Sequence, residues 1–377
     1  MATSQRNDDD NYEAQIYELV ERADQADGAE KVALLDEAVR LADLRQDAER
    51  ATYLRQDLFE AAFDVGQYER ALAEFNTMIA TADRHADTFG AEVMDSLLWR
   101  YKWVAEHVHK YPSVSREQVE TMFREMERRY KEAGLSMRAV YSLRSATALD
   151  MGDRKKADEY FAKWLDAEED GSEDCPACEL NSYVEYLLRS GDPAEAIRKA
   201  KPLLAGKMRC AEVPGITHSV LLVPLLLRGA VEQAAKGHKA SYKQMRETRK
   251  FVGYAGNHLQ YLALINDHTR AVKLLESRLA WALETRNGQD KFSFLLGARL
   301  LLARLAAQGR KTIKLLLPPS FENVRADGQY DTVDLAEKFL AMASDVAKQF
   351  DQRNGTDRYF RLLQENEALI AFEAPAS

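Results

Sequence analysis

The feature that most limits what this chain can fold into is a turn that returns at nearly constant intervals. Gly28, Gly66, Gly152, Gly191 and Gly229 each close one helix-like segment and open another, and Asn266 holds the same place in Leu264-Ile265-Asn266-Asp267. The step from Gly28 to Gly66 is 38 residues, those from Gly152 to Asn266 are 39, 38 and 37, and the 86 residues between Gly66 and Gly152 amount to two periods. The missing turn falls in Tyr111-Pro112-Ser113-Val114-Ser115, where Ser115 and Gln118 have capping-box spacing. A period of this length marks one supersecondary unit that cannot bury its apolar face alone and must stack on its neighbours.

An alanine stands five residues after each marker: Ala33, Ala71, Ala157, Ala196, Ala234 and Ala271. So small a side chain lets the second helix of a hairpin lie close against the first, where leucine would hold them apart. The flanking segments carry apolar residues at helical period. Ala51, Leu54, Leu58, Ala61, Ala62 and Val65 mark one helix, and Tyr68, Ala71, Leu72, Phe75, Met78, Ile79 and Ala82 the next. With 46% apolar and 30% charged residues and only 9 Pro and 18 Gly in 377, helix formers dominate, and the reading is all-α.

The pattern Gly-x4-Ala-x3-Phe, complete at Gly66-Ala71-Phe75 and at Gly152-Ala157-Phe161, resembles the tetratricopeptide repeat (TPR). That resemblance implies a right-handed superhelical solenoid of about eight antiparallel helix hairpins. The chain departs from the family in its longer period, in lacking the Trp near the start of the first helix, and in lacking the closing Pro. Residues 1–11, with three consecutive Asp, read as a disordered acidic start, 12–314 as the repeats, and 315–331 as a loop holding Leu315-Leu316-Leu317-Pro318-Pro319 and Gly328. Within 332–377 two capping helices and a short tail follow, about Thr332–Phe350 and Thr356–Phe372. They are joined at Asn354-Gly355, with Thr356 as N-cap.

One constellation carries chemistry. Cys175-Pro176-Ala177-Cys178 precedes a first helix, and Cys210 and His218 flank the start of the next repeat's first helix. All three cysteines of the chain fall in this stretch, and stacked hairpins would bring those helix starts together. A CxxC pair with a distant Cys and His supplies four donors for a structural, tetrahedral zinc. Two other readings stay open: cysteines that are merely buried small residues, and a redox pair Cys175–Cys178 of CPxC type without the βαβ setting of thioredoxin. Cys175-x-x-Cys178-Glu179-Leu180, Cys210-Ala211-Glu212-Val213-Pro214 and Asp351-x-Arg353-Asn354-Gly355 also resemble an uncharacterised group of bacterial TPR proteins, a likeness that implies no activity.

Two surfaces are candidates for a partner. Trp99 and Trp103 share one helix face, either as core packing between hairpins or as an anchor for a bound segment. Lys236, Lys239, Lys243, Arg246 and Lys250 follow three-four spacing and form a basic stripe, either a solvated face or a dock for an acidic peptide or nucleotide. His107 and His109, two apart, cannot clamp a metal together on a helix. The positions where carboxylate-clamping relatives carry Lys and Asn hold Tyr53, Gln56 and Glu60, then Cys178, Asn181 and Glu185, which points away from that role.

A net charge of -9 disfavours nucleic acid and anionic membranes, and the longest strongly apolar run, Val220–Leu227, is too short to span a bilayer. The start lacks an apolar signal region, so the protein is expected in the cytoplasm. No GxxxxGK[ST], GxGxxG, HExxH or GxSxG occurs, and no carboxylate pair is placed for acid-base work. The expectation is a non-enzymatic scaffold or adaptor for a protein or peptide segment. A peptide- or ligand-responsive bacterial signalling regulator comes second, and an enzyme with an unrecognised site third.

Overall fold

The structure is a computed structural model that describes residues 2–85 and 89–374, with backbone only for 2–10 and Ala91. The chain divides into two compact units, Met1–Val104 with Thr248–Lys250, and Ala105–Glu247 with Phe251–Ser377. The first holds α1 (Ala2–Gln25), α2 (Gly28–Leu44), α3 (Ala48–Asp64), α4 (Tyr68–Arg84) and most of α5 (Ala91–Val108), each packed on the one before it from α2 to α4. Helix α1 begins at Ala2, so the acidic start read as disordered is helical from there on. Composition alone hid this, because the apolar stripe of Tyr12, Ile16, Leu19 and Ala23 starts only later in the same helix.

In the second unit the helices are α6 (Arg116–Glu132), α7 (Arg138–Asp150), α8 (Arg154–Asp166), α9 (Pro176–Arg189), α10 (Pro193–Lys199), α11 (Lys201–Leu204), α12 (Gly215–Leu227), α13 (Val231–Met245), α14 (Val252–Leu264), α15 (His268–Glu284), α16 (Gly288–Ala307), α17 (Thr332–Asn354) and α18 (Arg358–Ala368). Pairs α7–α8, α9–α10, α12–α13 and α14–α15 are hairpins, and their first helices touch in succession, α7 to α9 to α12 to α14 to α16. Ser115 caps α6 in a full capping box, with its hydroxyl on the Gln118 N–H and the Gln118 side chain on the Ser115 N–H.

The turn markers are left-handed backbone. Gly66, Gly152, Gly191, Gly229 and Asn266 all have positive φ, as do Gly134 and, unexpectedly, Gln46. At Gly66 the N–H bonds back to the Phe63 carbonyl and that of Gln67 to Ala62, and the same two-bond closure recurs at the other six. At Gln46, Gly152, Gly191 and Asn266 the next residue is an aspartate (Asp47, Asp153, Asp192, Asp267) whose side chain caps the following helix, so one helix ends and the next begins within two residues. An alanine stands five residues after all seven turns, and Ala51, Ala71, Ala139, Ala157, Ala196, Ala234 and Ala271 are all buried. Ala33, five after Gly28, is exposed; the buried alanine five residues after a turn is in this region Ala51, after Gln46.

Side-chain hydrogen bonds step along the array at the repeat length. In the first unit Ser96 donates to Gln56, and Arg100 donates to Glu60 at 2.5 Å. In the second, His109 pairs with Asp150, Arg189 with Asp150, Thr217 with Asn181, Asn257 with Ser219, Ser293 with the Gly253 carbonyl and Arg304 with the Ala263 carbonyl, partners 36 to 41 residues apart. Where α14 crosses α16 the backbones come close, and glycine makes the approach possible. A Cβ on Gly256 would run into the Ser293 carbonyl, and one on Gly297 would lie 2.5 Å from the Gly256 carbonyl oxygen and 2.7 Å from the Leu259 Cβ.

The C-terminal segment departs from the sequence reading. Residues 315–331 are not all loop: they end in β2 (Gln329–Asp331), which pairs antiparallel with β1 (Thr312–Lys314) at the end of the stretch read as repeats, Ile313 opposite Tyr330, and Ile313, Leu315 and Leu317 turn inward while Leu316 is exposed. Asp331 caps α17. Thr356 does not cap α18; its hydroxyl donates to the Met151 carbonyl at 3.1 Å. Nor do α17 and α18 only finish the far end of the array. The guanidinium of Arg353 donates to the carbonyls of His109 and Tyr111, both at 2.8 Å, and the Gly288 N–H donates to the Lys110 carbonyl at 3.0 Å. The second unit thus closes on the segment that precedes α6.

Candidate metal centre

Cysteines 175 and 178 belong to a helix start. Cys175 is the N-cap of α9 with extended backbone, Pro176 follows at the first helical position where its missing N–H costs nothing, and Cys178 lies one turn in. The turn is fixed from its next residue: Glu179 takes three bonds from Arg138, the shortest 2.7 Å, and one from the Trp164 indole at 3.0 Å. Below Cys178 lies an apolar floor of Ala177, Leu203 and Val213, with Leu180 and Met208 beside it.

Cys210 arrives from the loop between α11 and α12. Its N–H closes a tight turn onto the Val213 carbonyl at 2.9 Å, ahead of the cis Val213–Pro214 bond, and Gln244 of α13 donates to the Ala211 carbonyl at 2.7 Å. Three sulfurs result, all within 4.8 Å of one another, the Cys175 and Cys210 residues exposed and Cys178 half-buried. Burial works against ionising Cys175, but the backbone N–H of Cys178, the thiols of Cys210 and Cys178 and the N–H of Ala177 outweigh it and hold the thiol below its ordinary value. Burial, the hydrogen bonds to Cys175 and Cys210 and their charge push Cys178 up. Three thiols at this spacing can bind a thiophilic ion or exchange a disulfide.

His218 does not join them. It sits on α12, 9% exposed, and its ring faces Gly237 of α13, where a Cβ would come within 3.1 Å of Nδ1. The turn before α12 sends Cys210 to the α9 side and His218 into the α12–α13 contact. Stacking therefore unites three of the four expected donors.

The proposed partner surfaces are also redrawn. Trp103 stacks on Phe59 at 5.7 Å and lies 5.2 Å from Phe63, inside the first unit's aromatic core, whereas Trp99 is 42% exposed with the Lys102 ammonium 3.3 Å from its ring centre. Helix α13 carries Lys236, Lys239 and Lys243 exposed, but it ends at Met245. Arg246 pairs with Glu247 at 2.9 Å, and Lys250 lies past the helix in the first unit, bonded to Asp64 at 2.7 Å, so the stripe is shorter than its spacing suggests.

Two polar clusters escaped the sequence reading. His109, set aside in the sequence as a metal ligand, is buried and bonds to Asp150 at 3.0 Å. From there Arg189, Glu185, Asn181 and Thr217 continue the string across α7, α9 and α12. Burial opposes charge on Asp150, but Arg189 and His109 outweigh it and hold the carboxyl well below the usual range. In α13 and α14, His238 and His258 face each other Nδ1 to Nδ1 at 2.8 Å, and His258 also meets Ser241 at 3.2 Å. Burial lowers His238 to about 4, helped by Arg270, and His258 to about 3, helped by His238. Their repeat-length or hairpin-length separations were the available signal.

Comparison with protein-family models and with curated proteins finds no match. Fold and site define the class: an all-α protein of packed helix hairpins with a cluster of three thiols. Among the described residues no helix is long and apolar enough to cross a membrane.

Proposed function

We propose that this protein is a non-enzymatic binding scaffold of the TPR type, in which a metal ion on Cys175, Cys178 and Cys210 ties the start of α9 to the loop before α12. The observation that carries the reading is the set of side-chain hydrogen bonds joining first helices at the repeat length, from Gln56–Ser96 to Ala263–Arg304. Polar groups on these faces serve to set one hairpin on the next, which is how a scaffold is built. Exposed Trp99 and the lysines of α13 are the surfaces offered to a protein or peptide segment. The metal fits the donor set, since thiolates are preferred ligands of zinc and the residues next to two of the cysteines are fixed from outside the cluster, Glu179 beside Cys178 by Arg138 and Ala211 beside Cys210 by Gln244.

The test combines binding and metal removal. Partners captured from cells of the source organism should be lost with Trp99→Ala or Lys243→Glu and kept with Phe360→Ala, an exposed aromatic on α18. Zinc-loaded protein should melt at a lower temperature in chelator, and Cys178→Ser should abolish that difference. Equal capture by all variants removes the scaffold surfaces, and a melting temperature indifferent to chelator removes the brace.

A further inference from the structure

A tetrahedral zinc with bonds of about 2.3 Å needs sulfurs about 3.8 Å apart, so a cluster whose sulfurs already lie within 4.8 Å closes on an ion by a shift of about 1 Å or less. Three sulfurs define one face of that tetrahedron. Ala177, Leu203 and Val213 pack against Cys178, whereas Cys175 and Cys210 are exposed. Among the described residues no His, Asp or Glu completes the set; the His218 ring lies beside Gly237 of α13, away from the sulfurs, with its Nδ1 buried and without a hydrogen-bond partner. Met208 packs beside the floor, but a thioether is a poor donor for zinc or cobalt.

We propose that an ion held by Cys175, Cys178 and Cys210 keeps its fourth coordination place open to solvent and takes there a monodentate soft donor, a thiolate, from outside the chain. The inference rests on the metal reading given above. A structural site is closed by four protein ligands, whereas three protein ligands leave a place for water that another donor can replace. Binding the ion releases the remaining thiol protons, and the incoming thiol gives up its proton as it displaces the water, with no change of oxidation state. The apolar floor keeps competing donors from the back of the ion, so exchange takes place on the solvent side. The exposed positions of Cys175 and Cys210 leave that side accessible to a small thiol.

Cobalt(II) is the probe, because its visible bands report both geometry and sulfur ligation. Reduced full-length protein is expected to take up one equivalent, and 2-mercaptoethanol added to it should shift the bands saturably and strengthen sulfur-to-cobalt charge transfer. Imidazole should shift the bands without that gain. Cys210→Ser should lose the complex, while His218→Ala and Met208→Leu should behave as the parent. Cobalt uptake with bands indifferent to both added donors means that the chain fills the fourth place itself, which overturns this proposal and leaves the brace standing. Weakened uptake in His218→Ala does the same and names the fourth ligand. Failure of fully reduced protein to bind cobalt at all overturns the metal reading and this inference together.

Discussion

Acidifying the protein from pH 7 to pH 5 should strip stability from the second unit through His238 and His258. In the unfolded chain both imidazoles titrate near the ordinary value of about 6.5, and in the folded chain burial holds them neutral down to about 4 and about 3. A group whose folded value is depressed contributes in full above the unfolded value and loses that contribution as pH falls below it. The loss is about 1.4 kcal/mol per pH unit for each histidine until the folded value is reached. Between pH 7 and 5 this comes to about 2 kcal/mol per residue and about 4 kcal/mol for the pair. Asp290 acts in the opposite sense, since burial pushes its carboxyl up to about 6, and its protonation returns about 1 kcal/mol over the same interval. The contrast between variants isolates the pair. Urea unfolding followed by circular dichroism at both pH values should show a loss smaller by about 2 kcal/mol in His258→Gln and by about 4 kcal/mol in the double variant with His238→Gln. Equal losses in parent and double variant would refute the reasoning, whatever the variants' stability at pH 7.

Two further outcomes follow from close contacts. Gly256→Ala places a methyl against the Ser293 carbonyl at the α14–α16 crossing, with no flexible side chain to yield, and should cost at least about 3 kcal/mol in urea unfolding, whereas Gly229→Asn, at a left-handed turn with nothing near its Cβ, should cost under about 1 kcal/mol. Arg353→Met removes the donors to the carbonyls of His109 and Tyr111 and should speed amide exchange in residues 109–116 and 353–357 while leaving α12 and α13 protected; unchanged exchange there would show that the contact does not hold the unit closed.

Much of the local architecture was legible because it rests on local rules. Left-handed turns need glycine or asparagine and a following cap, and Gly66, Gly152, Gly191, Gly229 and Asn266 announce themselves in that way. Gln46 closes the same turn without such a residue, so the sequence placed the first packing alanine at Ala33 instead of Ala51. The β-hairpin was missed because Leu316, although it points outward between Leu315 and Leu317, is apolar and so hides the apolar-polar alternation in the sequence. For the cysteines, repeat offsets located three donors at one place. They could not tell which way His218 points, because that depends on the path of the loop ahead of α12. The lysine stripe failed at its end for a related reason: helical spacing continued in the letters to Lys250 after the helix had stopped at Met245. Closure by Arg353 had no periodic signal at all, since its partners lie 242 and 244 residues away.

That closure changes what evolution can do with the chain. An open array tolerates gain or loss of a hairpin, because each unit answers only to its neighbours. Here the guanidinium of Arg353 must meet the carbonyls that precede α6 after the chain has passed through every hairpin between them. Inserting one hairpin between α8 and α14 would carry the donor away from its acceptors by the width of a helix layer, about 10 Å. The number of hairpins in this unit is therefore a fixed dimension of the molecule, as strand number is in a barrel, and variation is confined to the surfaces those hairpins present.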